Sequence, residues 1–403
     1  MKSDLYLKIS ITSYLLYVFV PVTRGLPDVF KAAFIGVAIL FLLLHTIIDK
    51  RLSLGSTLLS IIGFVVMDYL IYYGIWRTNT AITIVNKSLM LFVFWVPLLY
   101  IRPLTYASAN TMRYIRVLFE SLIVIELITT FAGNIMFPMA SRLLASPIDV
   151  DQNRIYQMAN IGGYGFVYAM VMAIPLFIYR YSSSSSKVYL LILSLVVITI
   201  PMTFYMTAIV LGMSMIYFSY SITSKKGRVW GILVIAFVYL LGDYLLDAIL
   251  SLSSYALSVD NQIISERLEN IHEYITEGST SGDMGYRDEL RNSSWESFVE
   301  SPLLGNLVGS FHVLGLHSEI VDWLGGTGIL GTAFIANIIL RNLKKFLHSL
   351  SGLPIKQYVY IVLMCVFVFG FLNVITSAPE ISSVIVLLSL VYAKNNLKTL
   401  SIK

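Results

Sequence analysis

An all-α polytopic membrane protein is the fold class this sequence predicts, with about twelve transmembrane helices and one large extracytoplasmic loop containing short helices. Three observations predict it. The 403 residues are 57% hydrophobic and 13% charged, with a mean hydropathy of +0.79, whereas a soluble domain carries about 25% charged residues. The runs Ala32–Ile48, Leu58–Ile75, Leu89–Ile101, Val188–Tyr220 and Tyr358–Ile375 hold few or no charges. A crossing takes about 20 residues, so each run forms the apolar part of one, and Val188–Tyr220 that of two short ones. Finally, the basic residues are asymmetrically placed. With the N-terminus cytoplasmic, only Arg24, Lys31, Arg77, Lys87, Arg142, Arg154, Arg267, Arg287 and Arg291 of the 28 Lys and Arg residues fall outside or near outer helix ends, as the positive-inside bias requires. A β-barrel would show alternation in place of continuous apolar runs.

The crossings read in order as 5–22, 29–48, 54–75, 84–101, 114–136, 160–179, 187–202, 205–222, 229–248, 322–340, 357–375 and 378–393. Lys2 and Lys8 precede the first apolar stretch, and no small-x-small site comes before Arg24. That pattern predicts an uncleaved signal anchor. The pair within 187–222 turns around Pro201, and the last pair turns around Thr376–Pro379. Ser182–Ser186 reads as a plain cytoplasmic linker. Residues 1–248 hold nine crossings with a small outer loop at 138–159, residues 249–321 form the large outer loop, and residues 322–403 supply the last three crossings. The even count puts both termini in the cytoplasm. No internal repeat of the inverted-transporter kind is visible.

The large loop reads as two helices. Ile264, Leu268, Ile271 and Ile275 recur at helical spacing with Glu266, Glu269, Glu273 and Glu277 between them, the pattern of an amphipathic surface helix. A break at Gly278–Gly282 follows. Asp283 then caps a second helix that runs to about Glu300, before Pro302. A single cysteine, Cys365, precludes an internal disulfide or a thiolate metal site. The pI near 9.0 follows from loop charge, so nucleic acid is not an expected partner.

Chemistry is expected in that loop, because it is the one long polar segment of an otherwise lipid-soluble chain. Arg287 and Arg291 are four apart and share a helix face. Two guanidiniums on one face suit a phosphate or pyrophosphate, and the plainer reading is an ion-pair ladder with Asp288 and Glu289. His317 precedes a helix re-entering the membrane and has the chemistry of a general base. Its plainer reading is a headgroup-level polar residue. Glu319 and Asp322 would orient that base or bind sugar hydroxyls, or are ordinary interfacial acids. Arg142 and Arg154 lie in the other outer loop, where they would bind an anionic lipid-linked substrate or pair with local acids. Asp68, Glu120 and Glu126 fall inside crossings and are functional candidates by default, with Glu120 one turn from a pairing Arg116. The sequence has no P-loop, no H-E-x-x-H and no G-x-S-x-G. Gly325-Gly326-Thr327-Gly328 reads as close packing within a membrane helix. No metal or cofactor is expected.

The order Arg287, Ser301-Pro302-Leu303-Leu304-Gly305, His317-Ser318-Glu319-Ile320 and Gly326-Thr327-Gly328-Ile329-Leu330-Gly331 resembles the O-antigen polymerase and ligase family of bacterial envelope glycan assembly. The motif resemblance covers residues 287–331, and the topology resemblance covers the whole chain. The chain departs from the family at Phe204-Tyr205-Met206-Thr207, where the family often has Ser-Arg, and at Ser318 and Glu319, which replace the commoner Asn and aromatic. The resemblance implies a metal-independent glycosyltransferase on the outer face of the bacterial cytoplasmic membrane. Its donor is a polyprenyl-pyrophosphate-linked oligosaccharide. His317 deprotonates the acceptor, and Arg287, with Arg291 or Arg154, neutralises the departing pyrophosphate. A chain-length regulator and a flippase are the implied partners, beside membrane lipid. The expected function is therefore a polysaccharide repeat-unit polymerase for capsule, exopolysaccharide or O-antigen. A ligase is the alternative within the family. A lipid-linked oligosaccharide flippase or transporter is the alternative from another class.

Overall fold

The computed structural model describes residues 2–49, 55–75, 90–145, 150–223, 282–307 and 314–400, together with Ser251, Ser254, Ser265, Glu269, His272 and Thr276. The described residues are helical and contain no strand. In order they form α1 (Lys2–Phe19), α2 (Pro21–Arg24), α3 (Asp28–Ile48), α4 (Gly55–Ile75), α5 (Met90–Tyr106), α6 (Ala109–Met136), α7 (Ala140–Leu143) and α8 (Val150–Met158). Then come α9 (Tyr164–Ser184), α10 (Lys187–Met202), α11 (Met206–Thr223), α12 (Gly282–Glu300), α13 (Glu319–Ser349), α14 (Ile355–Leu372), α15 (Pro379–Ser383) and α16 (Ser389–Leu400).

Val29–Ile48, Tyr164–Ser184, Glu319–Ser349 and Ile355–Leu372 are long and apolar enough to cross a membrane. Gly55–Met67, Met90–Tyr106, Lys187–Met202 and Met206–Ile222 are shorter apolar helices. Large apolar side chains such as Leu40, Ile47, Leu59, Met364 and Phe367 face outward. Water penalises such a surface and lipid does not, so the chain is a membrane-embedded helical protein.

Helix α9 is the spine. Every residue from Gly165 to Tyr179 is buried, as expected of a helix apolar on all sides. It packs against α10, α11, α14 and α15. Helices α1 and α3 form a second close pair. There Ser10 Oγ donates to Ala38 O at 2.5 Å and Ser13 Oγ to Phe34 O at 2.8 Å. Small hydroxyl residues let the two backbones approach and satisfy their own polarity across the gap.

Several boundaries differ from the sequence expectation. The first crossing ends at Phe19, because Pro21 opens the separate turn α2. The fourth bends through a 3-10 stretch at Val96–Tyr100 that contains Pro97, whose ring removes a backbone donor. The 138–159 loop carries α7 and α8. Helix α13 runs well past 340, because Arg341–His348 continues it as a polar extension. The last crossing passes through a π turn at Val384–Leu388. The expected helix at 229–248 and most of the amphipathic stretch at 264–277 lie outside the described residues.

Candidate functional site

Among the described residues helix α12 spans Gly282–Glu300, so Asp283, expected as its cap, is already helical, and Pro302 follows its end. Its small residues Ser294 and Ser297 are fully buried against α13. Ser297 Oγ donates to Asn306 Oδ1 at 2.6 Å and to Gly325 O at 3.2 Å. The Ser301–Gly305 turn then lies directly on α13. Gly305 has φ +56°, and a Cβ there would meet Gly325 O at 2.5 Å. Gly328 has φ +60°, which breaks α13, and a Cβ there would meet the Leu303 carbonyl carbon at 2.3 Å. The N–H groups freed by the break are taken by the turn: Ile329 N donates to Pro302 O at 2.8 Å and Leu330 N to Leu303 O at 3.2 Å. The two glycine motifs are therefore one structure. The close packing expected around Gly325–Gly328 is made by a backbone turn, and it includes a helix break that the sequence did not announce.

His317 sits in the bend between this turn and α13, exposed, after Leu316 at φ +56°. Asp322, one turn into α13, is buried and reaches back to it. Asp322 Oδ1 accepts from Ser294 Oγ at 2.6 Å and Leu316 N at 3.2 Å, and Oδ2 accepts from Ser318 N at 3.1 Å. Both backbone neighbours of His317 are thus held by one carboxylate. Glu319 is equally committed. Its Oε2 accepts from Ile375 N at 2.9 Å and Thr376 N at 3.1 Å, and its Oε1 accepts from Thr376 Oγ1 at 2.8 Å. Of the readings offered for Glu319 and Asp322 (orienting the base, binding sugar hydroxyls, or ordinary interfacial acids), the structure shows both turned inward to hold backbone, with Asp322 holding the residues on either side of His317.

The arginines divide into two groups. Arg287, half-buried on α12, lies within electrostatic reach of the Tyr164 and Tyr168 phenols. Arg142, on α7, also reaches Tyr168, and its guanidinium stands over the Tyr205 ring at 5.1 Å. Tyr164, Tyr168, Tyr205 and Phe369 pack together, with the Tyr168 and Phe369 centroids 4.2 Å apart. The charge of Glu319 also reaches Tyr164. Arg142 therefore stands on this aromatic cluster, and Arg287 lies within electrostatic reach of it. Arg291 does not join them: it pairs with Asp288 at 2.8 Å. Arg154 is exposed on α8. Glu120 lies 4.0 Å from Arg116 and accepts from Tyr189 Oη at 2.8 Å, which gives it a structural partner set. Asp68 keeps its side chain outside the described residues.

A second charged assembly was not anticipated. Arg24 Nη1 lies 2.5 Å from Glu380 Oε1, and Arg24 Nη2 lies 3.7 Å from Glu126 Oε1, with both glutamates fully buried. The sequence marks Glu126 as a candidate inside a crossing and Arg24 as one of the outer basic residues, and nothing local singles out Glu380. The usable signal was the cost of isolated intramembrane acids, which demands a cation somewhere along the chain. Among the described residues, no group of three His, Cys, Asp or Glu is placed to hold a metal ion. No protein-family model matches the chain, and no curated protein matches it.

Proposed function

We propose that this chain is a polysaccharide repeat-unit polymerase that moves a glycan from polyprenyl pyrophosphate to a lipid-linked repeat unit on the outer face of a bacterial cytoplasmic membrane. What supports this most is the Arg142 guanidinium 5.1 Å over the Tyr205 ring, in an aromatic cluster whose Tyr168 also lies within electrostatic reach of Arg287. A guanidinium over an aromatic ring, with a second cation within electrostatic reach, suits a pyrophosphate attached to a lipid, because the cations meet its charge while the rings meet its apolar chain. In the proposed step the acceptor hydroxyl attacks the anomeric carbon. The bond from that carbon to the pyrophosphate oxygen breaks, and the leaving group departs with the electron pair. His317 takes the hydroxyl proton. Arg287 and Arg142 offset the charge that grows on the leaving pyrophosphate. Arg291, paired with Asp288, and Arg154, exposed on α8, would contact the growing glycan. Both termini are then cytoplasmic, and a chain-length regulator and a flippase are the proposed partners. A ligase would use the same step with a different acceptor.

One observation favours a transporter instead: the buried Arg24, Glu126 and Glu380 assembly, since buried charge often marks a translocation path. Purified protein in lipid nanodiscs, supplied with a lipid-pyrophosphate-linked repeat unit, distinguishes the two. The polymerase reading expects a ladder of products that disappears in His317→Ala and Arg287→Ala. A ladder intact in both variants would sink the site assignment. Movement of the lipid-linked unit across a vesicle membrane with no chain growth would sink the enzyme.

A further inference from the structure

The Arg24 assembly draws on four distant parts of the chain. Arg24 ends α2, Glu126 lies within α6, and Glu380 opens α15. Gly165 of α9 makes the space, since a Cβ there would meet Glu380 Oε2 at 2.3 Å. Gly25, next to Arg24, is covered by the Gln157 side chain of α8. The titratable groups facing the assembly from α1 are Tyr17, whose phenol reaches Arg24, and Tyr14, which reaches Glu380. Tyr14 Oη is already engaged with Ser383 Oγ at 2.9 Å and Val93 O at 3.2 Å.

Two features set this assembly apart from an ordinary buried ion pair. Its formal charge is unbalanced, because one guanidinium faces two carboxylates. Its polar atoms are also unsatisfied: among the described residues, both oxygens of Glu126, Oε2 of Glu380 and Nη2 of Arg24 are buried without a hydrogen-bond partner. Buried polar atoms are partnered in roughly 90% or more of cases, so the carboxylate oxygens orphaned at one point call for a donor that the chain's own side chains do not supply there. A metal ion fits poorly there, because the guanidinium already occupies the Glu380 side and would repel it. A proton fits, since it needs only one carboxylate oxygen and turns that group into a donor. Arg24 keeps 26% of its side chain exposed, so the assembly lies beneath the molecular surface at that one side chain.

We propose that Glu126 and Glu380, bridged by Arg24, form a buried proton-binding site that holds one exchangeable proton on Glu126 while Arg24 pairs with Glu380. The site is separate from the glycan-transfer residues and does not rest on that reading. Release of the proton leaves two carboxylates competing for one guanidinium. Arg24 must then move toward Glu126, which ties α2, α6 and α15 to the protonation state.

Infrared difference spectra of the full chain in lipid nanodiscs, recorded between acid and alkaline pH, test this through the carbonyl stretch of protonated carboxyl groups. The wild type is expected to lose one carboxyl equivalent as pH rises. Glu126→Gln removes that equivalent. Glu380→Gln removes it too, because Arg24 then pairs with Glu126 as a neutral couple. Should one glutamine variant fail to fold, the other gives the same reading. Arg24→Gln adds protonated carboxyl signal, because neither glutamate keeps its counterion. A wild-type band that survives both glutamine variants overturns the proposal. A rise in unfolding temperature with sodium chloride over choline chloride at equal ionic strength, lost in Glu126→Gln, overturns it in favour of a metal cation.

Discussion

Two pairs of buried carboxylates lie at one end of this helix bundle, and they are built on opposite principles. Glu319 and Asp322 are 5% and 6% exposed, and every oxygen accepts hydrogen bonds from backbone N–H groups or hydroxyls. Glu126 and Glu380 are fully buried and share one arginine, with oxygens left over. Burial and residue type are nearly the same in the two pairs, so neither decides the role. The partners do. Fixed dipoles stabilise a charge without needing to move and lock a backbone in place. A shared guanidinium leaves a choice between two positions, and a choice is what a responsive site requires.

The sharpest way to break this contrast is Arg24→Ala. It strands two buried carboxylates, and loss of one partner from a buried ion pair typically costs about 3–5 kcal/mol. Equilibrium unfolding in mixed micelles measures it, and a change under 1 kcal/mol would mean that the glutamates already find other partners. Glu319→Ala comes next. It leaves the Ile375 and Thr376 N–H groups buried and unmet, at about 3 kcal/mol, read in the same unfolding experiment. Asp322→Asn keeps the side-chain shape but loses the charge on its hydrogen bonds. We expect about 1.5 kcal/mol of stability and about a tenfold slower ladder formation as the backbone around His317 loosens. A loss of stability with no loss of rate would remove Asp322 from the positioning of His317. Glu126→Gln should be mildest, within about 1 kcal/mol of wild type, because the Arg24–Glu380 pair remains neutral. If it matches Glu319→Ala, the two pairs do not differ in kind.

Features with a local cause could be read from the chain. Pro302 closes α12, so its limit at Glu300 follows from a neighbouring residue. The turn at Thr376–Pro379 was equally visible. What holds that turn was not, because Glu319 reaches it from a helix that begins far earlier in the chain. The Gly328 break was hidden for a similar reason. A helix gives up its own hydrogen bonds only when another segment supplies replacements, and the Pro302–Leu303 carbonyls do so through folding alone. Arg24, Glu126 and Glu380 each had a bland local explanation. Periodicity describes neighbours along one helix, and it carries no record of which helix ends meet. The same holds for Arg142 and Arg287, which the sequence puts in separate outer loops and the structure sets within electrostatic reach of one residue, Tyr168.

The plugged break in α13 has a mechanical consequence. An open break at Gly328 would let the two halves of a 31-residue helix swivel independently. Here the turn after α12 is bonded into the gap, so the halves and the turn are geared together. A displacement applied at the far end of α13, near Lys344 and Lys345, cannot be absorbed at Gly328. It is delivered to α12 and so to Arg287, which makes α13 a lever whose fulcrum is a pair of glycines.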